Sequence, residues 1–531
     1  MVAHHVNCRN IATALIVKRP SRAVGNGERQ LTMTRVSPEH SGEMQNTIRS
    51  SIHGQFRWTF VCTHAPHLRE FRTVAVAAVI WILQFLALAQ QTPQNAPNAI
   101  VFVHVNVVPM DTDRVLRNQD VLVVDGAIKE IGEGIHAPEG AQVIDGHGTG
   151  YLSPGLADMH VHSDTRRDMA VYLANGVTTI LNMGHARAGF ADSVRPAVDR
   201  GEIPGPHIYL AFMVDGSPEY NEFFVKSADE ARAVVQLAKT NGYDFIKVYN
   251  NLSPDCFYAL AQEGLKKGLP VVGHGVTQVG LQKQLAAGQI LVAHAEEYFY
   301  TVFNPPGSGP ENAPPRMDQI PAAIAFTKQY GAYVTADLIT YATIARQWGK
   351  PDVPPEFLKA PQVRYLDPDD RIGWRNSGYV KRKGDISARA EFLKRFIRAL
   401  NEAGVPLVAG TDAPSIPGLV PGFSLHQDLQ ALAQAGLSTF DVLSTATRVP
   451  GEFIQKAKPG TQPFGTIVAG NRADLILSRA NPLDDLSTLE TPLGVMANGH
   501  WHEASDLERL LAGVAEQYDM ATAGCCSLPA R

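Results

Sequence analysis

The chain is poor in cysteine, with five among 531 residues. Cysteines that are so few and so scattered do not form the disulfide framework of a small secreted domain. The sequence also lacks an excess of basic residues, since its net charge is −5 at pH 7, and nothing in it indicates nucleic-acid binding. No internal repeat or coiled-coil register is present, which excludes solenoid and fibrous architectures. The hydrophobic content of 45% is that of a globular protein with a sizeable core.

An apolar run of membrane-spanning length is also lacking. The stretch Thr73–Ala89 has 17 residues, whereas a transmembrane helix needs about 20. Because Arg69 and Arg72 precede it and Ala-Leu-Ala ends it, the stretch is typical of a cleaved secretory signal. We therefore predict an N-terminal extension over residues 1–89, a translation start near residue 60–70, and export to the periplasm or the extracellular space. The alternative is an uncleaved membrane anchor through the same stretch.

The middle of the chain alternates short apolar runs with helix-like segments. Eight such runs occur, at residues 153–162, 177–183, 206–213, 244–249, 269–274, 289–294, 331–337 and 405–412. Short apolar strands that alternate with amphipathic helices indicate a parallel sheet. Eight units in roughly 300 residues predict an α/β fold, a (β/α)8 TIM barrel, over residues 151–460.

Polar residues with metal-binding side chains end five of these runs. They are His160, His162, Lys247, His274, His294 and Asp412. The first two are separated by one residue at the end of a strand, so their side chains share a face and can bind one metal ion. In this barrel the active site lies at the carboxyl ends of the strands, and the six side chains are expected to converge there. Histidine, aspartate and a modified lysine suit a divalent ion such as Zn²⁺.

This pattern resembles the metal-dependent amidohydrolase superfamily, and within it the Xaa-Pro dipeptidase and imidazolonepropionase-like group. The resemblance runs from about residue 100 to about residue 502. It implies two divalent metal ions, expected to be Zn²⁺. The first would be bound by the His-x-His pair and Asp412, and the second by His274 and His294. Lys247 would be N6-carboxylated, and its carbamate would bridge the two ions.

The resemblance further implies an enzyme, a hydrolase that acts on carbon–nitrogen bonds. A metal-bridging hydroxide would attack the carbonyl of a small-molecule amide or peptide, namely a dipeptide or an N-acyl amino acid. Asp412 would be catalytic, first as general base and then as general acid. A mononuclear cyclic amidohydrolase or deaminase is the alternative, although deaminases carry a glutamate where this chain has Thr277. A catalytically inactive binding protein is a further alternative. No stable membrane span is expected if the signal is cleaved, and homo-oligomerisation is left open.

The flanks of the barrel region contain further strand-like stretches. Asp125-Gly126 reads as a hairpin turn, and an Asn-Gly pair occurs again near residue 498. In the superfamily the two chain ends pair, and this implies a composite β-sandwich from residues 98–150 and 461–505. Residues 506–531 are predicted to be a C-terminal tail.

Three side chains near the strand ends are predicted to contact substrate, namely Tyr249, His185 and Tyr298. The segments 301–321 and 339–384 are predicted to be long loops that act as lids over the site. Arginines in the second loop are candidates for binding a substrate carboxylate. They are Arg346, Arg364, Arg371 and Arg375.

Overall fold

The computed structural model describes residues 98–219, 223–304 and 314–526. The predicted signal stretch and the rest of the N-terminal extension lie outside these residues. Among the helices of the described ranges, none combines the length and the apolar character needed to cross a bilayer.

The first five strands form part of a sheet outside the barrel. They are β1 (Ala99–Val107), β2 (Leu116–Val124), β3 (Ala127–Gly132), β4 (Gln142–Asp145) and β5 (Tyr151–Pro154). The turn between β2 and β3 is the predicted one, with φ of 50° at Asp125 and 74° at Gly126. Two positive φ angles are what a two-residue type I′ hairpin turn requires.

The barrel consists of eight parallel strands, as predicted. They are β6 (Leu156–Val161), β7 (Val177–Asn182), β8 (His207–Asp215), β10 (Phe245–Val248), β11 (Val271–Gly273), β12 (Leu291–Val292), β13 (Tyr333–Thr335) and β14 (Leu407–Val408), with the short β9 (Phe223–Phe224) added beside β8. The first and last strands meet through the amide of Met159, which donates to the Ala409 carbonyl oxygen at 2.9 Å, and that of His162, which donates to the Ala413 oxygen at 2.8 Å. All eight carboxyl ends therefore lie at one rim.

Three late strands complete the outer sheet. They are β15 (Leu475–Ser478), β16 (Gly494–Ala497) and β17 (His500–Glu503). β15 runs antiparallel to β5, with Ile476 opposite Ser153, so hydrogen bonds join both flanks of the barrel in one sheet of eight strands. The two hairpin turns of this sheet touch, because a Cβ on Gly126 would lie 3.3 Å from the Cα of Gly499. Glycine at both turns permits this close approach.

Fourteen α-helices lie within the described residues. They are α1 (Arg166–Ala174), α2 (Arg195–Asp199), α3 (Ala228–Thr240), α4 (Pro254–Lys267), α5 (Leu281–Ala286), α6 (Ile320–Gln329), α7 (Leu338–Gln347), α8 (Val353–Phe357), α9 (Pro368–Arg375), α10 (Ser387–Glu402), α11 (Phe423–Gln434), α12 (Thr439–Thr445), α13 (Arg448–Ala457) and α14 (Ala504–Cys526). Several begin at a hydroxyl side chain that accepts from the first turn, for example Thr165 before α1 and Ser253 before α4. Such N-caps fix where the helix starts.

Residues 506–526 of the segment predicted to be a C-terminal tail form most of helix α14. Apolar side chains recur along it at helical spacing, at Leu507, Leu510, Leu511, Val514 and Tyr518. Val514 and Tyr518 pack against Ala170 and Val171 of α1. This helical spacing of apolar side chains is visible in the sequence and indicates a helix that packs against the rest of the protein.

Candidate active site

The first pair of predicted ligands, His160 and His162, stands at the end of β6. The Nδ1 atom of His160 lies 3.0 Å from the carbonyl oxygen of Ala293, and that of His162 lies 3.0 Å from the carbonyl oxygen of Gly184. Because a carbonyl oxygen only accepts, each Nδ1 must carry the hydrogen. Both Nε2 atoms are thereby left with their lone pairs available to a metal ion.

Asp412 faces this pair from the segment after β14. Its Oδ1 atom lies 3.1 Å from Nε2 of His162 and 3.7 Å from Nε2 of His160. Burial alone would raise the pKa of Asp412, but the close contact with His162 and the nearby Lys247 hold it at about 2. Its backbone has φ of 59° and its amide donates to the His160 carbonyl oxygen at 2.7 Å. The carboxylate is thus ionised and held in place by β6.

Lys247 projects from β10 into the same space and is 1% exposed. Its Nζ atom lies 3.2 Å from Nε2 of His160. Burial lowers the pKa of this ammonium group to about 8. A larger fraction of the side chain is therefore the neutral amine, which is the form that reacts with CO₂ to give a carbamate.

The second pair of predicted ligands, His274 and His294, is held differently from the first. Nδ1 of His274 lies 2.5 Å from Oε1 of Glu297, and Nδ1 of His294 contacts Oδ2 of Asp337. The other oxygen of Glu297 accepts from the Gly275 amide at 2.8 Å. Carboxylates in these positions orient metal-binding imidazoles and raise their basicity.

Burial governs the acid–base behaviour of this second pair. It lowers the pKa of His274 well below the usual range, and it raises the pKa of Glu297 to about 7 and that of Asp337 far above its usual value. Buried carboxylates of this kind are disfavoured as anions unless a positive charge lies beside them. A divalent cation at the imidazole Nε2 atoms would supply that charge.

The six predicted ligands come together as one cluster. The rings of His160 and His294 stack with centroids 4.2 Å apart, and those of His274 and His294 are 5.0 Å apart. Ligand atoms of His160, His294 and Asp412 lie within 4.8 Å of one another. Nitrogen and carboxylate oxygen donors suit Zn²⁺ and similar divalent ions, so the residues present fit a metal centre.

The three side chains predicted to contact substrate are not all brought to the site. The ring of Tyr249 lies 3.9 Å from that of His274, and the exposed ring of His185 lies 5.4 Å from that of His162. Tyr298 instead lies buried in the helical layer, where its hydroxyl group is 2.6 Å from that of Thr327. It follows His294 by four residues in a helical turn and faces away from the cluster.

A cavity of about 550 Å³ opens beside His274. Its polar lining includes Glu296 and Glu297, and its aromatic lining includes Phe299, Tyr300, Tyr341, Trp348 and Tyr379, with Arg382 and Arg389 in the same wall. The segment 339–384, predicted to be a loop, is largely helical and carries part of this wall. None of the four arginines predicted there lines this cavity; Arg346, for example, stacks on Phe357 at 4.8 Å.

Sequence reasoning missed the two carboxylates that hold the second histidine pair. Asp337 is the last residue of the seventh apolar run, so it had the same signal as the other candidate ligands, a polar residue where a barrel strand ends. Glu297 follows His294 by three residues and lies in the turn beyond the strand, where no strand-end signal marks it. The contact that it makes with His274 depends on how two loops meet, and nothing local in the sequence encodes this.

A family model described as the Amidohydrolase family matches residues 151–502. The chain is 26% identical over 165 residues to the dihydroorotase of Citrifermentans bemidjiense, across 30% of this chain and 38% of that protein. It thus spans less than two fifths of the length of this curated relative.

Two solved structures share the fold. A bottromycin amidohydrolase superposes with a TM-score of 0.62 at 24% identity, over 80% of this chain and 91% of that one. A Xaa-Pro dipeptidase with bound methionine superposes with a TM-score of 0.57 at 18% identity, over 76% of this chain and 100% of that one. The chain belongs to the Amidohydrolase family, and the predicted family and barrel are confirmed.

Proposed function

We propose that this protein is a binuclear metal-dependent hydrolase that cleaves the carbon–nitrogen bond of an amide, with dipeptides or N-acyl amino acids as substrates. One observation carries the proposal: both histidine pairs have Nδ1 engaged by an acceptor, which leaves four Nε2 atoms for metal binding around Lys247 and Asp412. Membership of the Amidohydrolase family supports hydrolytic chemistry at this rim.

His160, His162 and Asp412 would hold one ion, and His274 and His294 the other, with carboxylated Lys247 between them. Two such ions, expected to be Zn²⁺, would lower the pKa of bound water toward 7 and would polarise a carbonyl group. Lys247 reaches this role only as the carbamate, because an ammonium group would repel the metal ions. Its burial and its short distance to His160 support that modification.

The carboxylate of Asp412 is placed to handle the proton. It would accept a proton from the attacking water and pass it to the leaving nitrogen, so that the carbonyl carbon gains the hydroxyl group as the carbon–nitrogen bond breaks. Asp412 is buried, which shields this transfer from bulk solvent. The substrate would enter through the cavity beside His274, where Tyr249 lies against the imidazole ring.

A mononuclear cyclic amidohydrolase is the second candidate. The name of the curated relative, dihydroorotase, favours it. Deamination is less well supported, because Thr277 lines the cavity where a glutamate would be needed to transfer protons.

Metal content measured by plasma mass spectrometry tests the proposal. The full chain, produced with zinc and bicarbonate, should hold about two ions. Lys247→Ala should lower this number and abolish hydrolysis of dipeptides and N-acyl amino acids, whereas Lys359→Ala at an exposed ion pair should change neither. A ¹³C carbamate signal from labelled bicarbonate should be lost in the first variant alone. One ion unaffected by Lys247→Ala would favour the cyclic amidohydrolase, and absence of metal would favour the binding protein.

A further inference from the structure

One wall of the cavity beside His274 is built from two segments that are fastened together. The indole Nε1 atom of Trp348 donates to the Lys383 carbonyl oxygen at 2.8 Å, and the Gly349 amide donates to the Tyr379 carbonyl oxygen at 3.0 Å. These bonds tie the end of α7 to the 3₁₀ turn Gly378–Lys381. The wall is therefore fixed before any ligand arrives, and preorganised walls lose less entropy on binding.

Two guanidinium groups belong to this wall. That of Arg382 lies 5.8 Å from the centroid of the Trp348 ring, and that of Arg389 lies 4.8 Å from the Phe299 ring. Arg389 is buried and donates to Oδ1 of Asn304 at 2.8 Å. Arg382 forms no ion pair with an acidic side chain in the described part of the chain.

Positive charge beside aromatic rings defines what the wall can recognise. A guanidinium group beside an indole ring presents its N–H edge to a planar anion, and a carboxylate matches that edge with two parallel hydrogen bonds. Tyr300 is 41% exposed and lines the same cavity, so an apolar ligand group would cover its ring. The cavity volume of about 550 Å³ is within the range of small-molecule sites.

We propose that Arg382, held against Trp348, binds the carboxylate of substrates whose leaving amino acid carries a large apolar side chain. The proposal rests on the amide hydrolysis proposed above and names the residues that select the substrate. Arg382 is a specificity residue: it fixes the leaving amino acid while the metal cluster and Asp412 act on the amide. Arg389 adds a second positive charge to the same wall.

Three acetyl amides distinguish recognition of the substrate carboxylate from recognition of its aromatic ring. N-acetyl-L-phenylalanine carries both the carboxylate and the ring, N-acetylphenethylamine lacks the carboxylate, and N-acetylglycine lacks the ring. Release of acetate and equilibrium binding by calorimetry are measured for each, on the metal-loaded full chain. The unmodified protein should prefer the first compound over both others in kcat/KM and in Kd.

Variants then assign this preference to residues. Arg382→Met should lower kcat/KM for N-acetyl-L-phenylalanine about 10- to 100-fold, mainly through KM, and leave N-acetylphenethylamine nearly unchanged. Arg382→Lys should restore part of the loss, because it keeps the charge without the planar fork. Arg346→Met removes another arginine that stacks on an aromatic ring outside this cavity, and it should change all three compounds by less than about twofold.

The two proposals fail in different ways. Equal losses on the charged and the neutral aromatic amide would overturn the role of Arg382 while leaving amide hydrolysis intact. If Arg382 makes the protein bind N-acetyl-L-phenylalanine more tightly than N-acetylphenethylamine but no acetate is released, the proposed function is contradicted and the specificity site is supported. If the protein neither binds nor hydrolyses N-acetyl-L-phenylalanine, both proposals are overturned.

Discussion

The two halves of the candidate metal site are held by different means. In the half on β6, Nδ1 of His160 and His162 is held by backbone carbonyl oxygens. In the half beyond β11 and β12, Nδ1 of His274 and His294 is held by the side chains of Glu297 and Asp337. The first half follows from the barrel backbone itself. The second half depends on two further side chains. A single substitution of either one can therefore change the orientation of an imidazole ring directly.

Asp412 should give the largest effect, because it contacts the first half and is expected to move the proton. Asp412→Asn keeps the shape but removes the base, and it should lower kcat about 10²- to 10⁴-fold. The measurement is steady-state hydrolysis together with metal content. Asp484→Asn, at an exposed carboxylate bonded to Asn481, is the matched control. Activity within about tenfold of the parent would show that Asp412 does not carry the proton.

Asp337→Asn tests the half that is held by side chains. The amide can still accept from His294, but it lacks the charge that raises imidazole basicity, and metal affinity should fall about 10- to 100-fold. Competition with a chelating dye measures that affinity. The loss should be confined to one ion, while the ion at His160 and His162 is retained. Loss of both ions together would contradict the division of the cluster into two halves.

The half that is held by the backbone can be disturbed only through the main chain. Gly184, whose carbonyl oxygen accepts from His162, has φ of 140°, and a Cβ there would lie 2.8 Å from Sδ of Met213. Gly184→Ala should therefore shift this carbonyl group and lower the affinity of the first ion, by about tenfold at most. Gly373→Ala, in α9 with no atom within 4 Å of the new Cβ, is the control. An unchanged first ion would mean that His162 needs no backbone partner.

The same comparison explains what could be predicted from the sequence. The close approach of His160, Lys247 and Asp412 was predictable, because strand periodicity fixes both the rim and the face on which each side chain lies. Asp337 showed the same signal, but the six side chains already predicted as metal ligands left no role for it. The direction of Tyr298 could not be predicted, because it lies in a helical turn four residues after His294. Arg382 lines the cavity from the segment that follows the 3₁₀ turn Gly378–Lys381. Its position could not be predicted, because the path of this segment depends on contacts with the end of α7.

A buried histidine outside the cluster, His426, also has a ring nitrogen beside a backbone carbonyl oxygen. Nε2 of His426 in α11 lies 2.9 Å from the carbonyl oxygen of Asn175, and burial lowers the pKa of His426 to about 4. A depressed pKa means that the folded state prefers the neutral ring. The stability that this ring contributes is present above pH 6.5 and is lost as the pH falls toward 4, by up to about 3 kcal/mol.

His426→Gln should flatten this dependence. Urea unfolding at intervals between pH 4 and pH 7 would show a smaller slope of the free energy of unfolding than in the parent protein, with kcat at pH 7 unchanged. His147→Gln is the control, because the His147 side chain is 81% exposed and lies outside the barrel. An identical slope in parent and His426→Gln would mean that the buried ring takes up its proton without unfolding.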